Sequence, residues 1–409
     1  MALRLLQSSV LLRYRKSHNV RLLNFVANYH DFIRFATPGG SGRIALRNPK
    51  IIGVASSRGN RNHQEDFYSY AALSLNPEEL RLTLEKARYY DWDPSNLPPL
   101  LARQLVFVGI YDGHGGSTVS QFLRQELHGL FESVDKSQVP EVYAWVKELD
   151  GYFRRFKGGA LAPWVNPDKP EAKQEFDLEA RATLAFFQVD KALDTEAAAQ
   201  ECGATASVVL LRSLDCPQLP FFGSAKVALT VAHVGDTRVL LTATDGKVTP
   251  LTENHHADAR VEAIRLRKMM GTGLITDSFG EARWMGALAN TRSSLGDLKF
   301  KPLGVTAEPE VRTLVVDGPK YSHITLLSDG ISSCASDEEI SDLARGAATP
   351  RDAAKTILAY AEDMGSDDNL TALIVPLAGW GQLTGEDRTK PLREYRIQEM
   401  AGFERLRRM

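Results

Sequence analysis

Cysteine is scarce in this chain: only Cys202, Cys216 and Cys334 occur among 409 residues. Their odd number and their spacing argue against a disulfide framework or a cysteine metal site, and they indicate a reducing compartment. No apolar run approaches the ~20 residues that a membrane helix requires, so we expect no membrane insertion. Repeats and low-complexity tracts are also missing, while the apolar content of 43% is enough to bury a large core.

Acidic residues are almost missing from the first 50 positions. Asp31 is the only acid there, against nine Arg and Lys, so this stretch has a charge of +8 and the remainder −10. Residues 3–13 can form a basic amphipathic helix, which is typical of a mitochondrial transit peptide. We predict that residues 1–50 are a transit peptide and linker that engage the mitochondrial import machinery, with the matrix or intermembrane space as destination. A basic tail that binds acidic surfaces is the alternative.

Short apolar runs alternate with turns and longer helical patterns. The runs predict strands at 51–55, 67–71, 105–111, 206–211, 227–234, 239–242 and 324–327. Helical periodicity predicts helices at 119–131, 178–193, 257–270, 337–344 and 351–364. Asp245-Gly246 is a hairpin signal. Many short strands with a few longer helices indicate packed sheets covered by helices.

Acidic clusters stand at the ends of five apolar runs. In the first, the turn Asp112-Gly113-His114 places a carboxylate, a carbonyl and an imidazole together after residues 105–110. The other clusters contain Glu65 with Asp66, Asp236, Asp329, and Asp367 with Asp368. Mg²⁺ and Mn²⁺ prefer such oxygen ligands, and carboxylates at strand ends can converge on one point. For any single cluster an ordinary turn is an equal alternative, but five clusters together predict a metal centre.

The order of these motifs resembles one protein family. The motifs are Arg61-x-x-x-Glu65-Asp66, Asp112-Gly113-His114-Gly115-Gly116, Gly235-Asp236-Thr237-Arg238, Asp329-Gly330 and Asp368-Asn369, with Thr205-Ala206 and residues 288–297 in addition. Together they resemble the metal-dependent protein serine/threonine phosphatases of type 2C, in particular fungal-type mitochondrial members. The resemblance covers residues 51–377. It implies an α+β fold in which a central antiparallel β-sandwich carries helices on both outer faces, with a flap at about 252–285.

The same resemblance implies a set of metal ligands. Two Mg²⁺ or Mn²⁺ ions are expected, with a weaker third, because such a pair neutralises a phosphate ester and activates water. Asp112 would bridge the two ions. Glu65 and the Gly113 carbonyl would serve one ion, Asp329 and Asp368 the other, with Asp66 acting through bound water and Asp236 helping to hold the third ion. Glycine at 113 would let that carbonyl turn without interference from a Cβ.

Two further residues have predicted roles beside the metals. Arg61 offers a planar fork for two phosphate oxygens, with a surface ion pair as the alternative. His114 can protonate the departing seryl or threonyl oxygen, with a structural hydrogen bond as the alternative. The neighbouring pair His255-His256 has no ligand spacing, and we predict solvated loop residues there.

Departures from the family pattern concern single positions and connecting segments. Ser333 stands where many members carry a further Asp, and the spacing from Arg292 to Gly296 is one residue longer than usual. Residues 76–104 and 133–177 are predicted insertions that serve as lids, docking surfaces or a satellite core. The tail from 378 to 409 is predicted to be a surface helix or a loose segment.

These patterns predict a phosphatase that acts on phosphoserine and phosphothreonine in mitochondrial phosphoproteins such as 2-oxo-acid (pyruvate) dehydrogenase. A pseudophosphatase that serves as a binding or scaffold protein is the alternative. Degenerate members lose metal carboxylates, whereas Glu65, Asp66, Asp112, Asp329 and Asp368 are all present here. A nuclease or small-molecule phosphatase would share the carboxylates. The charge of −10 outside the first 50 residues offers no basic surface, so we expect no nucleic-acid partner.

Overall fold

The computed structural model describes residues 29–87, 91–149, 159–165, 175–256, 274–276, 282–284 and 294–407. The strands are β1 (Phe32–Thr37), β2 (Gly40–Ala45), β3 (Gly53–Ser57), β4 (Phe67–Ser74), β5 (Gln104–His114), β6 (Gly203–Ser213), β7 (Lys226–Val234), β8 (Arg238–Ala243), β9 (Val248–Pro250), β10 (Leu274–Thr276), β11 (Ala282–Trp284), β12 (Leu295–Gly296), β13 (Glu310–Asp317), β14 (Tyr321–Leu327) and β15 (Leu370–Pro376). The α-helices are α1 (Pro77–Lys86), α2 (Pro99–Ala102), α3 (Thr118–Phe122), α4 (His128–Ser133), α5 (Val139–Glu148), α6 (Ala162–Val165), α7 (Leu178–Leu193), α8 (Asp329–Ser332), α9 (Asp337–Leu343), α10 (Pro350–Asp363) and α11 (Lys390–Arg407). A π-helical turn, Leu123–Leu127, joins α3 to α4.

Two antiparallel sheets form the centre of the fold. The first has the order β13-β7-β6-β5-β4, with β12 paired to β6, and the second has the order β3-β15-β14-β8-β9. Alternation along β5 explains how they pack, because successive side chains of a strand point to opposite faces. Val106, Val108 and Ile110 lie in the core between the sheets, whereas Phe107 and Tyr111 lie in a second core beneath helices.

Helices cover both outer faces of this sandwich. On the first sheet, the second core includes Leu130 of α4, Val142 of α5 and Phe186 of α7. On the second sheet, a third core joins Ile340 of α9 and Ile357 of α10 to the strands. Antiparallel sheets with helices on both outer faces are the predicted fold class, which is therefore confirmed.

Every predicted strand has an observed counterpart, although the structure also has strands that were not predicted. Each of the seven predicted strands falls on β3, β4, β5, β6, β7, β8 or β14, and Asp245-Gly246 joins β8 to β9 as a hairpin. The helices predicted at 178–193, 337–344 and 351–364 correspond to α7, α9 and α10. The helix predicted at 257–270 lies outside the described residues, as does most of the flap predicted at 252–285; within it, β10 pairs with β11.

The start of the folded unit, predicted at residue 51, has to be moved toward the N-terminus. Strands β1 and β2 form a hairpin. Ile33 within β1 is 1% exposed, and Leu46 just after β2 is 0% exposed. His30 pairs with Ala72 of β4 through two backbone hydrogen bonds of 2.9 and 2.8 Å. The sequence hides this hairpin because Arg34, Gly40, Gly42 and Arg43 interrupt the apolar pattern of its strands. Residues 29–50 therefore belong to the fold, and residues 1–28 lie outside the described part.

The segments predicted as insertions carry helices that pack on the first sheet. Trp92 and Trp164 are buried in the core beneath the helices, while residues 88–90, 150–158 and 166–174 lie outside the description. The C-terminal tail carries α11. Arg396 of α11 donates to both carboxylate oxygens of Glu339 at 2.9 Å and to the Cys334 carbonyl at 2.6 Å.

A buried ion pair ties the first of these segments to the core. Glu79 of α1 and Arg181 of α7 have side chains that are 3% and 8% exposed. Arg181 donates from Nε to one carboxylate oxygen and from Nη2 to the other at 2.6 Å. Its Nη1 donates to the carbonyls of Phe131 and Val134 at 2.6 and 3.0 Å. Every charged atom of the pair is thus engaged, and α1 is held against α7.

Replacing Arg181 by Met should lower the free energy of unfolding by about 3–5 kcal/mol, because Glu79 would keep a buried charge without its partner. Urea denaturation of the purified protein measures this change. Lys86→Met is the matched control, since Lys86 also bridges α1 to Glu179 of α7 but is 63% exposed; its loss should be at most about 1 kcal/mol. A similar small loss in Arg181→Met would contradict the anchoring role.

Candidate active site

The acidic clusters meet at one end of the sandwich. Asp112 lies near the end of β5, and Asp66 directly precedes the neighbouring β4, where Phe67 pairs with Tyr111. In the second sheet, Asp329 follows β14 and Asp368 precedes β15. Leu327 at the end of β14 pairs with Ala372 near the start of β15. Because neighbouring antiparallel strands run in opposite directions, the end of one strand lies beside the start of the next. The topology therefore brings acids that are far apart in sequence to one place.

A cavity of about 1140 Å³ opens at this place. Eight of the nine predicted site residues line it, and they are Arg61, Glu65, Asp112, Gly113, His114, Asp236, Asp329 and Asp368. The ninth, Asp66, is only 3% exposed and lies beside the acids of the cavity. The structure thus brings all nine residues together.

Three carboxylates form a group with the geometry of a cation site. Asp112, Asp236 and Asp329 each offer one oxygen, and these three oxygens lie within 4.8 Å of one another. The backbone N–H of Asp329 also donates to Oδ2 of Asp112 at 3.2 Å, which fixes the start of α8 against the end of β5. An all-oxygen donor set of this kind suits Mg²⁺ or Mn²⁺.

The acids of the cavity destabilise one another's charge. Burial raises the pKa of Asp112 well above its ordinary value, and the charges of Asp329 and Asp66 raise it further. Burial and the charge of Asp236 raise the pKa of Asp329 to about 7. Like charges held this close favour protonation or the binding of cations. The site therefore has the electrostatic character of a polyvalent cation site.

Asp66 provides a second test of whether a metal fits. Burial raises its pKa to about 6, although hydrogen bonds with Ser328 and Thr371 oppose this rise. Its Oδ2 atom is buried and has no hydrogen-bond partner among the described residues. Buried carboxylate oxygens are normally satisfied, so the unpaired oxygen fits a cation or one of its water ligands. The residues present are compatible with a divalent metal.

Asn369 holds the loop that carries Glu65. Its Oδ1 accepts from the Glu65 backbone N–H at 2.6 Å, and its Nδ2 donates to the carbonyls of Arg58 and His63 at 2.8 and 3.0 Å. The side chain is almost completely buried and uses most of its hydrogen-bonding capacity on this loop. The motif Asp368-Asn369 thus combines a candidate ligand with a residue that positions another candidate ligand.

Arg61 reaches across the mouth of the cavity. Its Nη2 atom lies 2.7 Å from Oδ2 of Asp368, and the two side chains are 58% and 36% exposed. The guanidinium is therefore accessible to a ligand and oriented by one carboxylate. This geometry is compatible with both predicted alternatives, phosphate binding and a surface ion pair.

Gly113 is required by a close approach. A Cβ at this position would lie 2.6 Å from the Glu65 carbonyl oxygen and 2.6 Å from Oγ of Ser120. Any larger residue would separate the end of β5 from the loop before β4. This contact adds a steric reason for glycine to the predicted freedom of its carbonyl.

His114 has a partner that the sequence analysis did not identify. Its Nε2 atom lies 2.7 Å from Oδ2 of Asp297, whose side chain is 1% exposed. Burial disfavours the charged imidazole, but the hydrogen bond and charge of Asp297 outweigh this and raise the pKa of His114. Asp297 closes residues 288–297, which resemble a family motif, so that motif was the available signal. Its pairing with His114 depends on a contact across 183 positions.

The two histidines of the loop after β9 differ in their environment, and the prediction for His255 is wrong. His255 is 4% exposed, and its ring centroid lies 4.7 Å from that of His233. Its Nδ1 accepts from the Gly235 backbone N–H at 3.2 Å, and its Nε2 lies 3.1 Å from Glu310. The loop folds back onto β7, which buries this ring. His256 is half-buried and lines the cavity.

Ser333, which replaces the further Asp of the family pattern, also lines the cavity. Arg292, the other departure, lies outside the described residues. Within the described part of the chain, we found no helix whose length and apolar character would allow it to cross a membrane.

Comparisons with known proteins agree with this geometry. Residues 81–370 match the family described as Protein phosphatase 2C. Protein phosphatase 2C homolog 4 of Schizosaccharomyces pombe is 32% identical over 89% of this chain and 91% of its own length. A Xenopus laevis protein named "Protein phosphatase 1K, mitochondrial" is 29% identical over 69% of this chain and 63% of its own length.

Solved structures show the same fold. A serine-threonine phosphatase 2C from Toxoplasma gondii superposes with a TM-score of 0.51 at 18% identity, over 80% of this chain and 94% of its own. A sex-determining protein of C. elegans gives a TM-score of 0.52 at 20% identity, over 82% of this chain and 67% of its own. The family match and the S. pombe relative together show that this chain belongs to the protein phosphatase 2C family and is a metal-dependent protein serine/threonine phosphatase.

Proposed function

We propose that the chain hydrolyses phosphoserine and phosphothreonine esters at a binuclear Mn²⁺ or Mg²⁺ centre in this cavity. The observation that carries the proposal is the convergence of acids from both sheets: burial and neighbouring carboxylates raise the pKa values of Asp112 and Asp329, and a buried oxygen of Asp66 is left unpaired among the described residues. The proposed ligands are Glu65, Asp66, Asp112, the Gly113 carbonyl, Asp329 and Asp368, with Asp236 helping to hold a weaker third ion. When bound, the cations neutralise the phosphate and activate water.

The remaining steps belong to the protein's own side chains. Arg61 binds two oxygens of the phosphate group through its planar guanidinium, and Asp368 orients it from the side at 2.7 Å. The half-exposed position of Arg61 allows a peptide to approach the cavity from solvent. Among the described residues that line the cavity, Arg61 is the arginine whose guanidinium contacts the proposed metal ligand Asp368. We therefore assign the phosphate contact to Arg61.

His114 acts as the general acid in this proposal. Its Nε2–H donates to Asp297 at 2.7 Å, so Nδ1 is the nitrogen that carries the transferable proton. The Asp297 carboxylate stabilises the imidazolium form, which is the form that can protonate a departing seryl or threonyl oxygen. Alkoxides are poor leaving groups, so this proton is important for phosphoproteins.

Asp112→Asn and Asp329→Asn should each abolish Mn²⁺-dependent release of phosphate from phosphoserine peptides, because each change removes a negative oxygen ligand. Calorimetric titration of residues 29–409 with Mn²⁺ should show weakened binding in both variants. Asp367→Asn is the matched control: this exposed acid adjoins Asp368 but does not line the cavity. Unchanged Mn²⁺ binding in the Asp112 variant would contradict the metal assignment, and an inactive wild-type protein would favour a pseudophosphatase.

His114→Ala should reduce turnover of a phosphoserine peptide by roughly 10²–10⁴-fold, the usual contribution of a general acid. The loss on p-nitrophenyl phosphate should be much smaller, because an aryl oxide leaves without protonation. Steady-state kinetics with both substrates at saturating Mn²⁺ measure the difference. An equal loss on both substrates would mean that His114 has another role.

We further propose that the protein acts in mitochondria, on phosphoserines of matrix enzymes such as the pyruvate dehydrogenase complex. Residues 1–28 contain four Arg, one Lys and no acid, which suits recognition by import receptors. The mitochondrial name of the X. laevis relative supports the same location. The folded unit includes residue 29 onward, so the proposed leader is confined to residues 1–28.

Residues 1–28 fused to a fluorescent protein should direct it to mitochondria, because a cationic amphipathic segment is drawn inward by the membrane potential. The matched control changes Arg4, Arg13 and Arg15 together to Glu, which should leave the fusion in the cytosol. Fluorescence microscopy with a mitochondrial dye reads the result. A cytosolic wild-type fusion would remove both the location and the substrate class inferred from it, without affecting the phosphatase chemistry.

A further inference from the structure

The carboxylate that contacts His114 sits in an unusual turn. Asp297 has φ of +47°, the only positive φ of a non-glycine residue among the described residues. Gly296 before it has φ of +80°. Left-handed backbone costs roughly 1–2 kcal/mol at most residues with a side chain, and Asp is among the few that adopt it as single residues. The surrounding structure must therefore hold this turn in place.

Contacts on one side of the turn come from β6 and Ser294. The Asp297 backbone N–H donates to the Cys202 carbonyl at 3.0 Å, and Ser294 Oγ donates to Oδ2 of Asp297. A Cβ at Gly203 would lie 2.2 Å from both Asp297 Oδ2 and Ser294 Oγ, and 2.5 Å from His114 Nε2. The three side chains thus converge over a bare glycine, with no space for adjustment.

A buried ion pair holds the turn from the other side. Asp190 of α7 and Lys301 have side chains that are 2% and 4% exposed, and their charged atoms lie 2.6 Å apart. Asp190 Oδ1 accepts from the Gly296 backbone N–H at 2.8 Å, and Lys301 Nζ donates to the Ser294 carbonyl. Both charges therefore also bond to the backbone of the segment that ends in Asp297.

Such a pair is a poor source of stability. The desolvation of two charges largely cancels their attraction, and well-packed apolar residues often replace a buried pair without loss. What the pair supplies is direction, because each charged group fixes a particular backbone atom of the turn. A displacement of about 1 Å near a reacting group can reduce turnover by about 10²-fold.

We propose that Asp190 and Lys301 are positioning residues for the general acid: they hold the Ser294–Asp297 turn so that the Asp297 carboxylate stays in contact with His114. This inference rests on the proposed role of His114. Neither residue touches the cavity, and their effect reaches the phosphate ester only through Asp297. A simple strut between α7 and the 3₁₀ turn Leu298–Leu303 is the competing explanation.

The test compares two substrates in a variant that keeps no buried charge. Asp190→Leu/Lys301→Met removes both ions together, so that it should fold. Turnover of a phosphoserine peptide should fall by about 10- to 100-fold, with far less change on p-nitrophenyl phosphate and no change in Mn²⁺ affinity. Lys301→Arg, which keeps the charge, should recover part of the lost activity. Equal losses on both substrates, or none, would overturn the inference.

The matched control is the other buried ion pair of α7. Glu79→Leu/Arg181→Met removes a similarly buried pair, in which Arg181 lies at the opposite end of α7 from Asp190 and Glu79 lies on α1. This control variant should change the free energy of unfolding, but its turnover of the phosphoserine peptide and of p-nitrophenyl phosphate should change by the same factor. If the losses of turnover on the two substrates differ as much in this control as in the Asp190/Lys301 variant, any change in α7 is sufficient, and the specific role is overturned.

Two results distinguish this inference from the function on which it rests. If His114→Ala reduces turnover of the two substrates equally, the general-acid role is contradicted, and so is this inference. If His114→Ala separates them but Asp190→Leu/Lys301→Met does not, only the inference falls. Proton NMR adds a readout without turnover: the downfield Nε2–H resonance of His114 should be lost or shifted in the folded double variant, and an unchanged resonance would also overturn it.

Discussion

Concentrated negative charge at one end of the β-sandwich is the constraint on which the rest of the structure depends. The charges of Asp329, Asp66 and Asp236 add to burial in raising the pKa of Asp112, and Asp112, Asp236 and Asp329 are close enough to share one ligand sphere. Only rigid supports can hold like charges so close, and paired strand ends supply them. The sandwich is therefore the frame that makes a cation site of acids that would otherwise move apart.

Three groups of buried charges among the described residues are stabilised in three different ways. In the cavity, carboxylates face one another and suit divalent cations. Between α1 and α7, Glu79 and Arg181 neutralise each other and join a peripheral helix to the core. Beneath the Asp297 turn, Asp190 and Lys301 are neutral as a pair but also bond to backbone atoms near the site. Burying charged groups costs desolvation free energy in all three places, but the buried charges bind ligands in the first, anchor a helix in the second and position a turn in the third.

The two proposed substrate-handling residues differ in how firmly they are held. Arg61 is more than half exposed and is oriented by a single carboxylate, which suits a residue that must capture a mobile phosphopeptide. His114 is fixed by a carboxylate that is itself fixed by Ser294, Gly203 and the Asp190–Lys301 pair. A proton donor needs this accuracy because proton transfer depends on short, directed contacts. Binding of the phosphopeptide by Arg61 tolerates side-chain motion, whereas protonation of the leaving group by His114 does not.

The sequence by itself indicated packed sheets, seven of their strands and the eight predicted residues that line the cavity, because apolar periodicity and short acidic motifs are local signals; the sandwich followed from the family resemblance of those motifs. It could not reveal the β1–β2 hairpin, whose arginines and glycines interrupt its apolar pattern, or the burial of His255 against His233. It also could not pair His114 with Asp297, or Asp190 with Lys301. Those contacts join residues more than a hundred positions apart, and only the packing of α7 and β12 against β5 and β6 decides them.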